Sequence, residues 1–229
     1  MMVSGDLAAL RRHDLVWLAT DSDAGVFAAN ARHATIVREW VAQQRPLVVA
    51  RQPEDISAGY VALSISIALP ALRQRVCVHV PRQLLVRHWG ALPLASAIPG
   101  APRQWQAAMA KIGQLCHALG IRAGVYGSLA FQILTRQDYL TPTSDLDLLF
   151  DCSPGVDLPA LLAGLQDASA GDLRIDGEVR LQGGWAVPWR ELAMALAAGG
   201  PARVLAKSDR AASLMDVGEF LEQFLPVSA

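Results

Sequence analysis

The sequence predicts an α/β (α+β) chain: a smaller β-rich N-terminal domain, then a second domain with a small mixed sheet flanked by helices. Three observations carry this. Short runs rich in β-branched residues dominate the first 90 residues, a proline-rich stretch follows, and beyond it helical spacing alternates with short strands. The chain has 229 residues, 52% of them hydrophobic and 18% charged, which suffices for one large domain or two modest ones. A chain this apolar can bury a core, so disorder is excluded as its main state.

In the first domain, 1–90, the segments 14–18 (DLVWL), 46–50 (PLVVA), 61–67 (VALSISI) and 76–80 (VCVHV) read as strands. Residues 35–44 read as a short helix stopped by Pro46, and 84–88 fits helix or strand equally. Residues 91–102 carry Pro93, Pro99, Pro102 and Gly100 with no charge, the composition of a linker. The second domain, 103–229, opens with a helix over 103–119, whose Trp105, Ala108, Met109, Ile112, Leu115 and Leu119 recur at helical spacing before Gly120. A strand over 123–126, a helix over 129–135, a strand over 145–150, a helix over 157–168 and a strictly alternating strand over 173–181 follow, with helices over 191–198 and 213–224.

Charge divides the chain as well. Residues 1–120 hold 12 Lys+Arg against 7 Asp+Glu, and residues 121–229 hold 8 against 14, for a net charge of −1. Halves of opposite sign suggest two units with different tasks. The near-neutral total argues against a bulk nucleic-acid binder. Cys77, Cys116 and Cys152 are an odd set with no CxxC spacing, which excludes a disulfide framework and a cysteine zinc site and fits reducing cytoplasm. The most apolar stretch, 61–72, is interrupted by Ser64, Ser66 and Pro70 and is too short to span a bilayer. With no secretory pattern at the start, the expectation is a cytoplasmic protein that does not contact membrane. None of the five histidines has metal-ligand spacing.

The chemistry concentrates in 125–151, VYGSLAFQILTRQDYLTPTSDLDLLFD. Gly127 allows a tight turn and a close ligand approach. Ser128 would open the following helix, whose unpaired N–H groups and partial positive charge suit a phosphate, with the hydroxyl as a further donor. Asp145 and Asp147 stand two apart on a predicted strand, so both carboxylates share one face while Leu146 and Leu148 point to the other. Two such carboxylates repel unless a cation lies between them. Magnesium takes one or two carboxylates together with substrate phosphates. A third carboxylate is expected from the strand over 173–181, where Asp176 and Glu178 share a polar face. Asp176 is preferred because it is nearer mid-strand, although a bulge at Gly177 would weaken that choice.

The ordered set of an apolar residue, Gly127-Ser128, a spacer and Asp145-Leu146-Asp147 resembles the polymerase-β-type nucleotidyltransferase superfamily, with a somewhat long spacer of 16 residues. A closer resemblance covers nearly the whole chain. The runs 12–18 (RHDLVWL), 45–51 (RPLVVAR), 127–149, 176–179 (DGEV), 186–191 (AVPWRE) and 207–210 (KSDR) are similar to the malonate decarboxylase holo-acyl-carrier-protein synthase family, also called phosphoribosyl-dephospho-CoA transferase. The family pattern has a glycine near Arg136; the departure bears on the turn after the helix more than on the chemistry. The resemblance implies a transferase that moves a phosphoribosyl-dephospho-CoA group from 2′-(5″-triphosphoribosyl)-3′-dephospho-CoA to a serine of the apo acyl-carrier subunit of malonate decarboxylase, releasing diphosphate.

The residues agree with that reaction type. In-line transfer needs charge neutralisation and positioning, which two magnesium ions held by Asp145, Asp147 and Asp176 would supply. Asp176, or the metal beside it, would help deprotonate the carrier serine. Gly127, Ser128 and the helix start would hold the departing diphosphate. Lys207 and Arg210 are further phosphate contacts or, equally, a solvated charge cluster. His13 is an outlying candidate for a phosphate contact. The basic first domain, with Arg11, Arg12, Arg38, Arg45 and Arg51, would bind the donor or steer an acidic carrier. Trp185 and Trp189 are candidates to face an adenine, against the default of core filling. The competing readings are a generic nucleotidyltransferase acting on another protein, RNA or a small molecule, and an inactive nucleotide-binding module.

Overall fold

In the computed structural model, which describes residues 10–20, 27–28, 31–68, 73–169 and 173–223, the chain forms two compact units. The first comprises Met1–Ala91 with Leu134–Tyr139, the second Leu92–Ile133 with Leu140–Ala229. The architecture is α+β.

The β-branched runs of the first unit become strands because each can bury one face. β1 (Leu15–Leu18), β2 (Phe27–Ala28), β3 (Leu47–Val49), β4 (Tyr60–Ala68), β5 (Arg73–Pro81) and β6 (Leu85–Trp89) make an antiparallel sheet in the order β2-β5-β4-β3-β1-β6. Val16, Leu47, Leu63, Val76 and Val80 are fully buried in it. The ambiguous segment near residue 85 is therefore a strand, fixed by pairing with β1. α1 (Ala31–Ala42) starts earlier than its pattern suggests. It is followed by Gln44 in the left-handed region (φ 52°), ahead of Pro46.

A buried pair ties β1 to β6. His88 Nε2 donates to Asp14 Oδ2 at 2.8 Å, and the same oxygen accepts the Arg11 N–H at 2.8 Å. Both side chains are almost wholly enclosed. Asp14 thus has a structural duty, holding the turn that leads into β1.

Segment Leu134–Tyr139 counts with the first unit: Tyr139 is buried and its hydroxyl donates to the Ser66 carbonyl at 2.7 Å. Arg136 in this segment has φ 57°, a conformation that favours glycine. Arg136→Gly is therefore expected to raise stability by up to about 1 kcal/mol, the relief of a left-handed side chain less the added chain entropy. Thermal unfolding checks this.

The second unit is a mixed sheet in the order β13-β12-β11-β10-β9-β8-β7 among the described residues. Its strands are β7 (Leu92–Pro93), β8 (Arg122–Val125), β9 (Leu146–Asp151), β10 (Ile175–Arg180), β11 (Ala186–Pro188), β12 (Arg203–Lys207) and β13 (Ala212–Asp216). Only β9 and β10 run parallel. The helices are α2 (Leu94–Ala97), α3 (Arg103–Ala118), α4 (Gly127–Thr135), α5 (Leu158–Ala168), α6 (Trp189–Ala197) and α7 (Val217–Glu222). Met109, Ile112, Leu161, Leu165 and Leu192 bury against one side of the unit's core with Leu146, Leu148, Phe150, Ile175 and Val179.

Two expectations are corrected here. The stretch expected as a linker, 91–102, folds as β7, α2 and a short 3-10 turn, because Leu92, Leu94 and Ala97 are buried. The helix expected over 213–224 is a strand followed by a short helix. Asp216 accepts the Gly218 N–H at 2.8 Å and caps α7, so residues before it remain in β13. Residue 224 lies outside the described residues.

Candidate active site

The parallel pairing of β9 with β10 sets the site. Leu146 to Asp151 align one for one with Ile175 to Arg180, with no slip at Gly177. Gly177 marks a close backbone approach and not a bulge, since a Cβ there would overlap the Leu148 carbonyl oxygen.

One face of this pair is a ladder of charge. At one end Arg174 meets Asp145, with Nε 2.7 Å from Oδ1 and a hydrogen bond from its other arm to Oδ2 at 2.9 Å. At the other end Arg180 grips Asp151 with two bonds of 2.6 and 3.0 Å. Between them Asp147 stands opposite Asp176. Opposite charges fill the two end rungs; of the two rungs between them, one sets Glu178 opposite Leu149 and the other sets like charges together. Like charges directly across a pair of strands are destabilising, and a cation between them would relieve the repulsion.

The Gly-Ser turn closes on the same rung. β8 ends at Val125, and the Tyr126 N–H donates to the Asp147 carbonyl at 3.1 Å. Gly127 then adopts φ 65° and begins α4. A Cβ on Gly127 would overlap Asp147 Oδ2 and lie 2.7 Å from Cγ. The absent side chain is therefore the space the Asp147 carboxylate occupies. Ser128 is the next residue of α4 and is half-buried.

The remaining candidates separate. Glu178 is buried and binds Lys207 Nζ at 3.1 Å, so its carboxylate is committed to an ammonium group. Asp176 is exposed, opposite Asp147, and accepts its neighbour's N–H from Gly177 at 2.8 Å. Lys207 ends β12 and Arg210 lies within the β-hairpin turn that follows, away from any helix: Ser208 Oγ accepts the N–H groups of Arg210 and Ala211 at 3.3 and 2.9 Å. Arg210 is exposed and, among the described residues, its guanidinium makes no ion pair. His13 belongs to the first unit, at φ 76°, with its N–H donating to the Val49 carbonyl at 3.0 Å. Trp189 fills the core, its indole N–H directed at the Ile175 carbonyl at 3.3 Å, so it is not placed to stack on a base.

The donor set suits a hard cation in part. All the candidate ligands are carboxylate oxygens, and Asp145 Oδ1 is shielded from solvent yet receives no aligned hydrogen bond. Arg174 nevertheless holds Asp145. Among the described residues, no three His, Cys, Asp or Glu side chains converge closely enough to hold a metal ion by themselves. Phosphate oxygens would have to complete such a site. A groove of about 510 Å³ lined by Lys111, Leu115, Gly164 and Asp167, among others, includes none of these candidates.

Arg174, Asp151 and Arg180 are not among the site residues expected from the sequence. Each of their pairs joins residues 29 apart, the constant offset of the parallel register, which only the strand pairing reveals.

The buried thiols have no nucleophilic role. Burial pushes Cys116 up to about 11. Burial, aided by Asp151 and Cys116, pushes Cys152 up to about 12. Because the unfolded thiols titrate near 9.0, their contribution to stability is complete below that pH and is lost as pH rises toward 12. Unfolding temperature is therefore expected to fall progressively above about pH 9. Iodoacetamide should label exposed Cys77 of the folded protein and spare the other two, as read by peptide mass spectrometry.

Comparison with known proteins gives the family. Residues 11–90 match the phosphoribosyl-dephospho-CoA transferase MdcG N-terminal domain, and residues 93–218 match the corresponding C-terminal domain. A phosphoribosyl-dephospho-CoA transferase of Xanthomonas campestris pv. campestris is 34% identical over 183 residues, covering 80% of this chain and 85% of the relative. The enzyme of that name from Xanthomonas axonopodis pv. citri is 32% identical over 89% of this chain and 93% of the relative. The Bradyrhizobium diazoefficiens enzyme is 30% identical over 92% of each. No solved structure matches. No helix among the described residues is long and apolar enough to cross a membrane. With both domain families in sequence order and relatives matched along most of their length, this chain belongs to the phosphoribosyl-dephospho-CoA transferase family and is a transferase.

Proposed function

We propose that the protein transfers phosphoribosyl-dephospho-CoA from 2′-(5″-triphosphoribosyl)-3′-dephospho-CoA to a serine of the apo acyl-carrier subunit of malonate decarboxylase. The observation that carries a charge-neutralising transfer is the like-charged rung Asp147–Asp176, next to the Arg174–Asp145 pair and closed by Gly127. The family membership carries the donor class.

The step joins the serine Oγ to the donor's α-phosphorus and breaks the bond from that phosphorus to the departing diphosphate. The serine proton passes to Asp176, which faces solvent and can release it. Asp145, Asp147 and Asp176 would hold magnesium, two ions in the fullest arrangement. When bound, the metal neutralises the phosphate charge and stabilises the attacking and leaving oxygens. Gly127 lets the backbone approach the phosphates, and Ser128 with the first turn of α4 donates to the diphosphate. Glu178 orients Lys207, whose ammonium adds positive charge to the carboxylate-bearing face. Arg210 and His13 are outlying candidates for donor phosphates. The arginines of the first unit bind the donor or an acidic carrier. The setting is cytoplasmic, and neither membrane nor nucleic acid takes part.

Substrate choice is tested by intact mass of the apo carrier subunit after incubation with protein, magnesium and one donor at a time. The expected outcome is a phosphoribosyl-dephospho-CoA adduct on a single serine with the triphosphoribosyl donor, and none with ATP or CTP. Labelling by ATP or CTP instead would favour a generic nucleotidyltransferase. Donor binding without any labelling would favour an inactive binding module.

A further inference from the structure

Arg174 and Arg180 make the same kind of rung on the same sheet face, yet they are built differently. Arg180 is enclosed, 5% exposed, and grips Asp151 through two aligned bonds. That pair is a fixed part of the fold. Arg174 is 67% exposed. Only one of its contacts to Asp145 is an aligned hydrogen bond, and Asp145 Oδ1 is left shielded from water without one. Exposed pairs of this sort are weak and exchangeable, worth about fivefold in an equilibrium at most. Arg174 immediately precedes β10, two residues before Asp176 and so one strand repeat from the like-charged rung, and its carbonyl accepts the Leu146 N–H at 2.8 Å, extending the pairing. A guanidinium there carries the planar donor fork that matches phosphate oxygens.

We infer that Arg174 is a donor-binding residue that rests on Asp145 in the free protein: a divalent cation displaces it from the carboxylate, and the released guanidinium takes the donor's polyphosphate. This rests on the metal-assisted reading of the site given above. Asp145 cannot bind a cation closely and keep the arginine at the same oxygens, so the two events are coupled. Cation and polyphosphate then bind with positive cooperativity, each raising the affinity of the other by the same factor. The arrangement also disfavours idle cation binding before the donor arrives.

Two binding measurements on the full chain test this without reference to turnover. The first is Mn²⁺ affinity by electron paramagnetic resonance, in protein alone. Arg174→Ala and Arg174→Gln should each bind Mn²⁺ about three- to fivefold more tightly than wild type, and Arg174→Lys should stay close to wild type. The second is binding of inorganic tripolyphosphate in EDTA by calorimetry, as a double-mutant cycle. With Asp145 present, Arg174→Ala should cost less than about twofold, because the arginine is occupied. In an Asp145→Ala background, the same change should cost about fivefold.

Equal costs in both backgrounds, or Mn²⁺ binding that weakens or stays unchanged when Arg174 is removed, would overturn the exchange. Asp147→Asn separates this from failure of the underlying reading. If wild type has a Mn²⁺ site that Asp147→Asn abolishes, only the role of Arg174 is in question. If wild type has no such site, the metal-assisted reading falls and the exchange falls with it.

Discussion

Asp147→Asn is expected to slow diphosphate release at saturating donor and carrier by about a hundred- to thousandfold. The change is nearly isosteric, so the Gly127 contact and the β9–β10 register persist. What is lost is the charge at the rung where Asp147 and Asp176 oppose each other. Stability should not fall, and is expected to rise slightly, because a like-charged cross-strand pair has been relieved. A coupled diphosphate assay and thermal unfolding read the two effects. Loss of activity with retained or raised stability is the signature of a residue kept for chemistry at the expense of the fold. A variant that lost both together would identify Asp147 as a structural residue.

Gly127→Ala is expected to produce the second-largest effect through one methyl group. That methyl would overlap Asp147 Oδ2 and sit 2.7 Å from Cγ, so the carboxylate must move. The backbone at φ 65° also resists any residue with a Cβ. Displacing a positioned group by about an ångström costs on the order of a hundredfold in rate. The left-handed strain adds a stability loss of about 1–2 kcal/mol. Gly120 is the natural control: it too has a positive φ, 68°, but a Cβ there meets nothing within 4 Å. Gly120→Ala should therefore share the stability loss and keep the rate.

The sequence carried the architecture of the second unit well where pattern and local chemistry coincide. Gly127-Ser128 ends a strand and opens a helix, and Asp145-Leu146-Asp147 alternates across a strand with its leucines inward, as strand geometry demands. The alternation over 173–181 likewise identified β10 and its polar face. It did not reveal register. Which residue stands opposite Asp147 depends on the pairing of two segments 29 residues apart, and a shift by one would turn every side chain to the other face. The Arg174–Asp145 and Arg180–Asp151 rungs were therefore out of reach, as was the commitment of Glu178 to Lys207.

Tertiary burial overrode local signals elsewhere. The prolines of 91–102 suggest a linker, yet Pro93 ends a strand and caps α2 while Leu92 and Leu94 bury. Residues 212–216 pair with β12 as an edge strand, with Leu214 54% exposed, so no apolar face announced them as sheet. Arg136 shows the reverse case. A bulky charged residue sits at a left-handed turn, where glycine is the physical preference.

The most direct test of the central claim, transfer of phosphoribosyl-dephospho-CoA at the Asp147–Asp176 rung, is the intact mass of the carrier subunit followed over time. Wild type, Asp147→Asn and Asp176→Asn would be compared with the triphosphoribosyl donor and magnesium. One adduct per carrier is expected with wild type, formed with one equivalent of diphosphate, and almost none with either variant over the same interval. Adduct formation at the wild-type rate by both variants would contradict it and move the chemistry away from this sheet face.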